Sequence, residues 1–260
     1  MESSGRLGMK LHQAVSFSRA LMRVSRAEAV FFPGCALLTY DSALLEQTLE
    51  ILQRAEPGIG LACGCCGQPA KYLEPALFER RTGRLRRLLE RNGVKRIYTA
   101  CPNCARLLTA LNAAEVIPVW ETLERIVDKD DLADHGSTVY ALHDPCPVRS
   151  DRAQQEAVRS LLKKANVAVA EFPDNRENTR CCGNIAMLRA RNPAQSGALR
   201  NSRLSSIPPE LPVVSYCAGC VDAFSSEGRS TAHLLELLFG KSKSRGWGNR
   251  LINTLKPRKD

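Results

Sequence analysis

The sequence predicts an α/β protein made of two tandem, pseudo-symmetric copies of one unit, each a mostly parallel sheet flanked by helices. Three observations carry that prediction. The first is a cysteine pattern that occurs twice: Cys35, Cys65-Cys66 and Cys101-x-x-Cys104, then Cys146, Cys181-Cys182 and Cys217-x-x-Cys220. From Cys65 onward the second copy follows the first at a constant offset of 116 residues, the mark of an internal duplication. The second is that four short apolar segments each deliver a cysteine just past their C-terminal ends. The third is helical periodicity between those segments. Strands that alternate with helices make a mostly parallel sheet covered on both faces, with ligands beyond the carboxyl ends of the strands.

The elements follow in order. Residues 1–26 are a basic extension with a weak apolar pattern over 11–22. The first copy spans 27–127. It opens with the apolar run 29–32, closed by Pro33-Gly34 before Cys35. Residues 41–54 set Leu44, Leu45, Leu49 and Leu52 near a 3.6-residue period, and 74–91 pairs an apolar stripe with Arg-rich faces, so both read as helices. The run 96–99 leads into Cys101. Residues 128–137 are a polar, acidic linker containing Gly136. The second copy spans 138–240. Its strands are 139–142, before Cys146, and 213–216, before Cys217; its helices are 154–164 and 186–205, the latter interrupted by Pro193 and Gly197. A helix over 234–239 closes it. The basic tail 241–260 holds a charged linker, then Trp247, Leu251, Ile252 and Leu255 on one face of a short helix that also bears Arg250 and Lys256.

Charge and composition exclude several functions. The net charge is +10, but residues 27–240 carry 25 basic and 25 acidic side chains, so the whole excess lies in the two ends. With only 5% aromatic residues, the body offers no stacking platform for nucleic acid. No apolar run approaches the ~18 residues of a membrane span. Arg6, Lys10, Arg19 and Arg23 interrupt the N-terminus, which has no apolar core of a secretory leader. A reducing, cytoplasmic setting is expected, with association to a membrane only through a partner or the basic tail. There, eleven cysteines are metal ligands or redox groups before they are disulfides.

A CxxC pair sets two sulfurs on one turn, enough for one metal ion or one edge of a cluster. A vicinal pair suits a wide multinuclear group better than a single ion, because neighbouring side chains diverge. The glycine after each pair lets the backbone turn or approach closely. Each CCG and each CxxC is expected to open a helix, with Lys71 and Arg180 nearby, an environment that favours thiolates. Zinc held by the CxxC pairs plus two other cysteines is the alternative. Cys63 reads as a small buried thiol. His143 and Asp144 precede Cys146 and read first as a strand-end turn held by Asp144, second as hydrogen-bond or proton donors to a cluster. His12, His135 and His233 read as solvent or cap residues, and Arg149 and Arg180 as surface cations or counter-charges.

The segments FFPGC, CCGQ, TACPNC, HDPCP, CCGN and SYCAGC, spread over 28–240, resemble the CCG-domain, or cysteine-rich domain, family represented by the cysteine-rich subunit of heterodisulfide reductase. Related domains occur in glycolate, lactate and glycerol-3-phosphate oxidoreductase subunits. The resemblance implies two 4Fe–4S clusters, of the non-cubane type in the reductase subunit. One would be held by Cys35, Cys65, Cys66, Cys101 and Cys104. The other would be held by Cys146, Cys181, Cys182, Cys217 and Cys220. Here the spacer before the vicinal pair is 29 residues in the first copy and 34 in the second, so the first site is the candidate for different geometry or for zinc. The resemblance further implies an oxidoreductase subunit passing electrons between a partner and a thiol or disulfide. The chain has no ferredoxin-type cysteine run, GxGxxG or P-loop, so a partner with ferredoxin-type clusters or a flavin is expected. The rivals are an electron-relay or assembly module without substrate, and a zinc-stabilised docking protein.

Overall fold

The computed structural model describes residues 2–133, 136 and 138–256, with side chains from residue 7; His135 falls outside them. Helix α1 (Glu2–Ser16) and strand β1 (Arg23–Val24) precede β2 (Ala29–Phe32). There follow α2 (Ser42–Ala55), β3 (Gly60–Cys63), α3 (Gln68–Leu73), α4 (Pro75–Arg91), β4 (Arg96–Thr99), α5 (Pro102–Leu111), β5 (Glu115–Pro118) and α6 (Val119–Ile126). The second half runs β6 (Val139–His143), α7 (Arg152–Lys164), β7 (Ala168–Glu171), α8 (Leu188–Arg191), α9 (Pro193–Leu204), β8 (Val213–Ser215), α10 (Ala218–Ser225), β9 (Thr231–His233) and α11 (Leu234–Phe239). Helix α12 (Trp247–Leu255) ends the described chain. No helix among the described residues is long and apolar enough to cross a membrane.

The two sheets reproduce one topology. The first has the order β1-β3-β2-β4-β5 and the second β7-β6-β8-β9. Every pairing is parallel except β1 with β3. Setting β1 aside, each order reads second, first, third, fourth strand of its copy, which is the duplication expressed as register. Strands β2 and β8 are buried at every position, as central parallel strands covered by helices must be.

Local chemistry explains the helix ends. Asp41, Asp151 and Asn192 cap α2, α7 and α9 by accepting from backbone N–H groups at 3.0 Å. Proline stands at the first positions of α4, α5 and α9, where its missing N–H costs nothing. The helix expected over 186–205 is therefore two helices: Pro193 begins α9, and Ala186 and Met187 take left-handed conformations ahead of α8. The first CCG opens α3, but a 3-10 turn over Ile185–Met187 follows the second. Both CxxC motifs open helices, with Cys101 and Cys217 at the N-caps of α5 and α10.

The compact units differ from the boundaries read off the repeat. One comprises residues 1–119 and 242–260, the other 120–241. Trp120 is fully buried against Tyr216 and His233, and Glu124 accepts from Ser160, so α6 belongs to the second unit although the first copy encodes it. The tail belongs to the first unit. Asn253 donates to the carbonyls of Leu38 and Tyr40 at 2.9 and 2.8 Å, Gly246 donates to that of Thr39, and Arg245 stacks over Tyr40. Lys256 pairs with Glu46 at 2.6 Å. The remaining face of α12 presents Trp247, Leu251, Ile252 and Leu255 to solvent.

Candidate metal centres

In the first unit, β2, β3 and β4 end side by side, and their following turns converge. Pro33-Gly34 brings Cys35 back over the sheet. Gly34 has φ of +82°, and a Cβ there would lie 3.1 Å from Cys104 Sγ and 3.3 Å from Cys101 Cβ, so only glycine lets the chain pass so close to the CxxC sulfurs. Cys65 and Cys66 follow β3; Cys101 and Cys104 occupy the N-cap and first turn of α5. Thiol hydrogen bonds join Cys35 to Cys65, Cys65 to Cys66, Cys66 to Cys104 and Cys104 to Cys101. The second unit has the same chain of contacts: Cys146 to Cys181, Cys181 to Cys182, Cys182 to Cys220 and Cys220 to Cys217. The ten cysteines singled out by spacing thus form two groups of five.

The acid–base chemistry of the groups is matched as well. Hydrogen bonds from Cys35 and Cys66 hold the Cys65 thiol far below its ordinary range. Cys181 is brought down to about 2 by Cys146 and Cys182, helped by the N–H groups of Ile185 and Gly183. The glycine of each CCG is the local donor: Gly67 N–H reaches Cys65 Sγ at 3.4 Å and Gly183 N–H reaches Cys181 Sγ at 3.3 Å. Cys35, Cys104, Cys146 and Cys220 are driven up by bonds to neighbouring sulfurs and by burial. Cys182 is driven up chiefly by Cys181. Cys104 pulls Cys66 down, but Cys65 and burial together raise it. Five sulfurs gathered at one place, three buried and two partly exposed in each group, cannot all ionise against one another. A cationic metal or iron–sulfur core removes that repulsion, and the donor set fits one.

The walls of the first centre come from both ends of the chain. Gln13 on α1 donates to Cys65 Sγ at 3.2 Å and is itself held by Arg81 at 3.2 Å. His12 hydrogen-bonds the same sulfur, and its donor atom lies within 4.8 Å of Cys35 and Cys65; it is a site residue, not the solvent residue its polar sequence context suggests. Arg250 on α12, 1% exposed, donates to Ser16 Oγ at 2.7 Å and contacts His12 Nδ1 at 3.4 Å. Cys63 is the buried thiol expected, directed to the Asn253 carbonyl at 3.6 Å.

In the second unit, His143 at the end of β6 is fully buried, edge-on to Phe224 and Phe172, and within 4.8 Å of Cys182 and Cys220. Burial, reinforced by Arg203, lowers its pKa to about 3, so the ring is neutral. Asp144 does anchor the strand end. Burial alone would raise its pKa, yet Arg159 at 2.7 Å, the Arg176 N–H at 2.9 Å and Tyr216 Oη at 2.8 Å keep it ionised. Arg149 donates to the Thr179 carbonyl and its charge reaches Cys146, whereas Arg180 is an exposed cation near Asp174. Lys71 lies over the Phe78 ring, and His233 caps α11. Gln13 and Arg203 carried no signal in the sequence, being single polar residues on helices with no motif around them, and Arg250 was read only as a charge on the tail helix.

Residues 29–109 and 140–225 each match the family model for the cysteine-rich CCG domain, and each stretch contains one complete set of five cysteines. No curated protein sequence matches the chain. Among solved structures it is similar to a glutamate racemase from Bacillus anthracis, at 14% identity over 81% of this chain and 77% of that chain with a TM-score of 0.35. It is also similar to an aspartate racemase from Picrophilus torridus, at 10% identity over 87% and 99% with a TM-score of 0.34. An aspartate racemase homologue from Pyrococcus horikoshii OT3 is similar at 12% identity over 82% and 96%, TM-score 0.31. Likenesses this distant carry no argument about this chain. The two family matches do, since together they cover most of it and hold both cysteine groups: the chain belongs to the cysteine-rich CCG domain family.

Proposed function

We propose that the protein is the iron–sulfur subunit of an oxidoreductase of the heterodisulfide reductase type, with one 4Fe–4S cluster in each unit and a thiol or disulfide as substrate. The observation that carries the reading is the gathering of five sulfurs, including a vicinal pair, at each centre; a structural zinc site needs four ligands and closes around them. When bound, each cluster supplies a one-electron carrier. The chain's own part is to gather ten sulfurs, six of them buried, to donate to Cys65 and Cys181 from the CCG glycine N–H groups, and to place Gln13, His12, Arg250, His143 and Arg203 around the sulfurs. Electrons enter from a partner with ferredoxin-type clusters or a flavin. The apolar face of α12, flanked by Lys241, Lys243 and Arg245, is the part of 241–260 proposed to meet that partner or a membrane.

The test is anaerobic purification of the full chain with iron, acid-labile sulfide and zinc counted per molecule. About eight iron and eight sulfide are expected, with reduced protein reoxidised by a disulfide. Zinc without iron after attempted anaerobic reconstitution would overturn the reading in favour of a docking protein. Clusters that no disulfide reoxidises would leave a relay module.

A further inference from the structure

Two arginines are buried to 1% exposure, Arg250 in the first unit and Arg203 in the second. Among the described residues neither forms a carboxylate ion pair. Arg250 meets Ser16 Oγ, His12 and the Trp247 ring; Arg203 meets His143, Thr179 Oγ1 and the Phe172 ring. A buried cation without an anion is costly, so the fold supplies or awaits a counter-charge. The charge of Arg250 acts on Cys35; that of Arg203 is answered first by Asp174 and Asp144, neither within ion-pair distance, and then by Cys220 of the cysteine group.

Each arginine is coupled to a histidine in the same way. Arg250 Nη1 lies 3.4 Å from His12 Nδ1, and Arg203 Nε lies 3.4 Å from His143 Nδ1. A guanidinium has only donors, so Nδ1 accepts in both rings, and a neutral imidazole then carries its proton on Nε2. Such a ring cannot ligate a metal through Nε2 without giving up that proton. It can only donate. Buried donors stand unmatched at both places: His143 Nε2 and Arg203 Nη1 in one unit, Arg250 Nε in the other. Sulfur acceptors lie within 4.8 Å of each ring.

Duplication did not copy this arrangement. His143 and Arg203 come from β6 and α9, whereas His12 and Arg250 come from α1 and α12, outside both stretches that match the family. The position equivalent to His143 in the first copy is Phe32, three residues before its cysteine. The same donor pair has been assembled twice, from different parts of the chain.

Taking the two centres as iron–sulfur clusters, as proposed above, we propose that Arg250–His12 and Arg203–His143 are matched donor pairs, each supplying counter-charge and an Nε2–H hydrogen bond to the sulfurs of its own cluster and thereby holding that cluster's reduction potential up. Reduction adds negative charge, which nearby cations and donors to sulfur favour. The histidines are therefore donors to the cluster and not ligands.

The experiment is a potentiometric titration of the full chain, purified without oxygen, followed by visible and electron paramagnetic resonance spectra. Signals are assigned to each centre by their loss in Cys66→Ser and Cys182→Ser. His12→Phe is expected to keep its iron and to lower the potential of the first centre alone. The reduced-to-oxidised ratio at the wild-type midpoint should fall about tenfold, ~59 mV for one electron. His143→Phe should do the same to the second centre alone. Glutamine at either position restores an N–H donor and should recover part of the shift. Methionine, which has bulk and no donor, replaces phenylalanine if that variant does not fold. Retained iron with unchanged potentials overturns the proposal, as does iron loss that persists in His12→Gln, since that marks a ligand. Wild-type protein without iron–sulfur clusters is a separate result: it removes the functional reading, and this proposal with it.

Discussion

Cys65 and Cys181 occupy the same place in the two copies, the first sulfur of the vicinal pair, and each accepts from the glycine N–H two residues on. Gly183 takes φ of +86°, and a Cβ there would lie 2.3 Å from the Ser196 carbonyl oxygen. Gly183→Ala is expected to destabilise the second unit by about 3 kcal/mol, combining left-handed strain with a backbone clash; denaturant unfolding of the metal-depleted protein measures it. Cys181→Ser should remove about half of the bound iron, because serine is a poor replacement for a thiolate ligand. Iron content and spectrum equal to wild type would strike Cys181 and the second centre from the ligand assignment. At this scale the sequence was explicit about the ten cysteines that gather, since residue type and spacing are what a metal selects. It was silent about Arg203 and misplaced His12 as a solvent or cap residue, because a lone arginine or histidine on a helix acquires meaning only from what packs against it.

Glu56 ends α2 and Arg96 begins β4, and the two elements are joined there. Arg96 donates to both carboxylate oxygens at 2.7 and 2.8 Å, and Tyr98 Oη adds a third bond at 3.0 Å. Arg96 holds the Glu56 carboxyl below its usual pKa, against a smaller opposing effect of burial. The folded form therefore binds its proton less readily than the unfolded chain. Its contribution is full above the unfolded carboxylate range, near pH 4.3, and is lost as pH falls through the lower folded value. Glu56→Gln should cost about 1–2 kcal/mol at pH 7, and the difference from wild type should shrink as the pH is lowered below about 4. Melting curves across pH check both; a constant difference would show that the ion pair contributes nothing. The long helices were legible from their periodicity. Strands β3, β5, β7 and β9 were not, because runs of three or four residues such as GLAC and TAH present too few positions to show a period. The pairing partner defines them.

At the scale of the molecule, the repeat and the compact unit are different divisions of one chain. The repeat closes its first copy after α6, but Trp120 buries its ring in the second unit. Fragment 120–241 should therefore unfold cooperatively on its own and hold one metal centre. Fragment 138–240, cut at the repeat, should be less stable by about 3–5 kcal/mol, the usual cost of deleting a large buried aromatic. Equal stability of the two fragments in denaturant would show that α6 adds nothing to the second unit.

Residue identity and local spacing were enough to establish the duplication, the parallel α/β architecture, and the ten cysteines and their division into two groups, for each depends on patterns a few to a few tens of residues long. The tertiary structure alone decided that the basic ends are walls of the first centre. It alone set Arg250 against His12, 238 positions away, and moved α6 across the boundary between units. Burial and counter-charge belong to elements that meet in space, and no periodicity along the chain records which of them will meet.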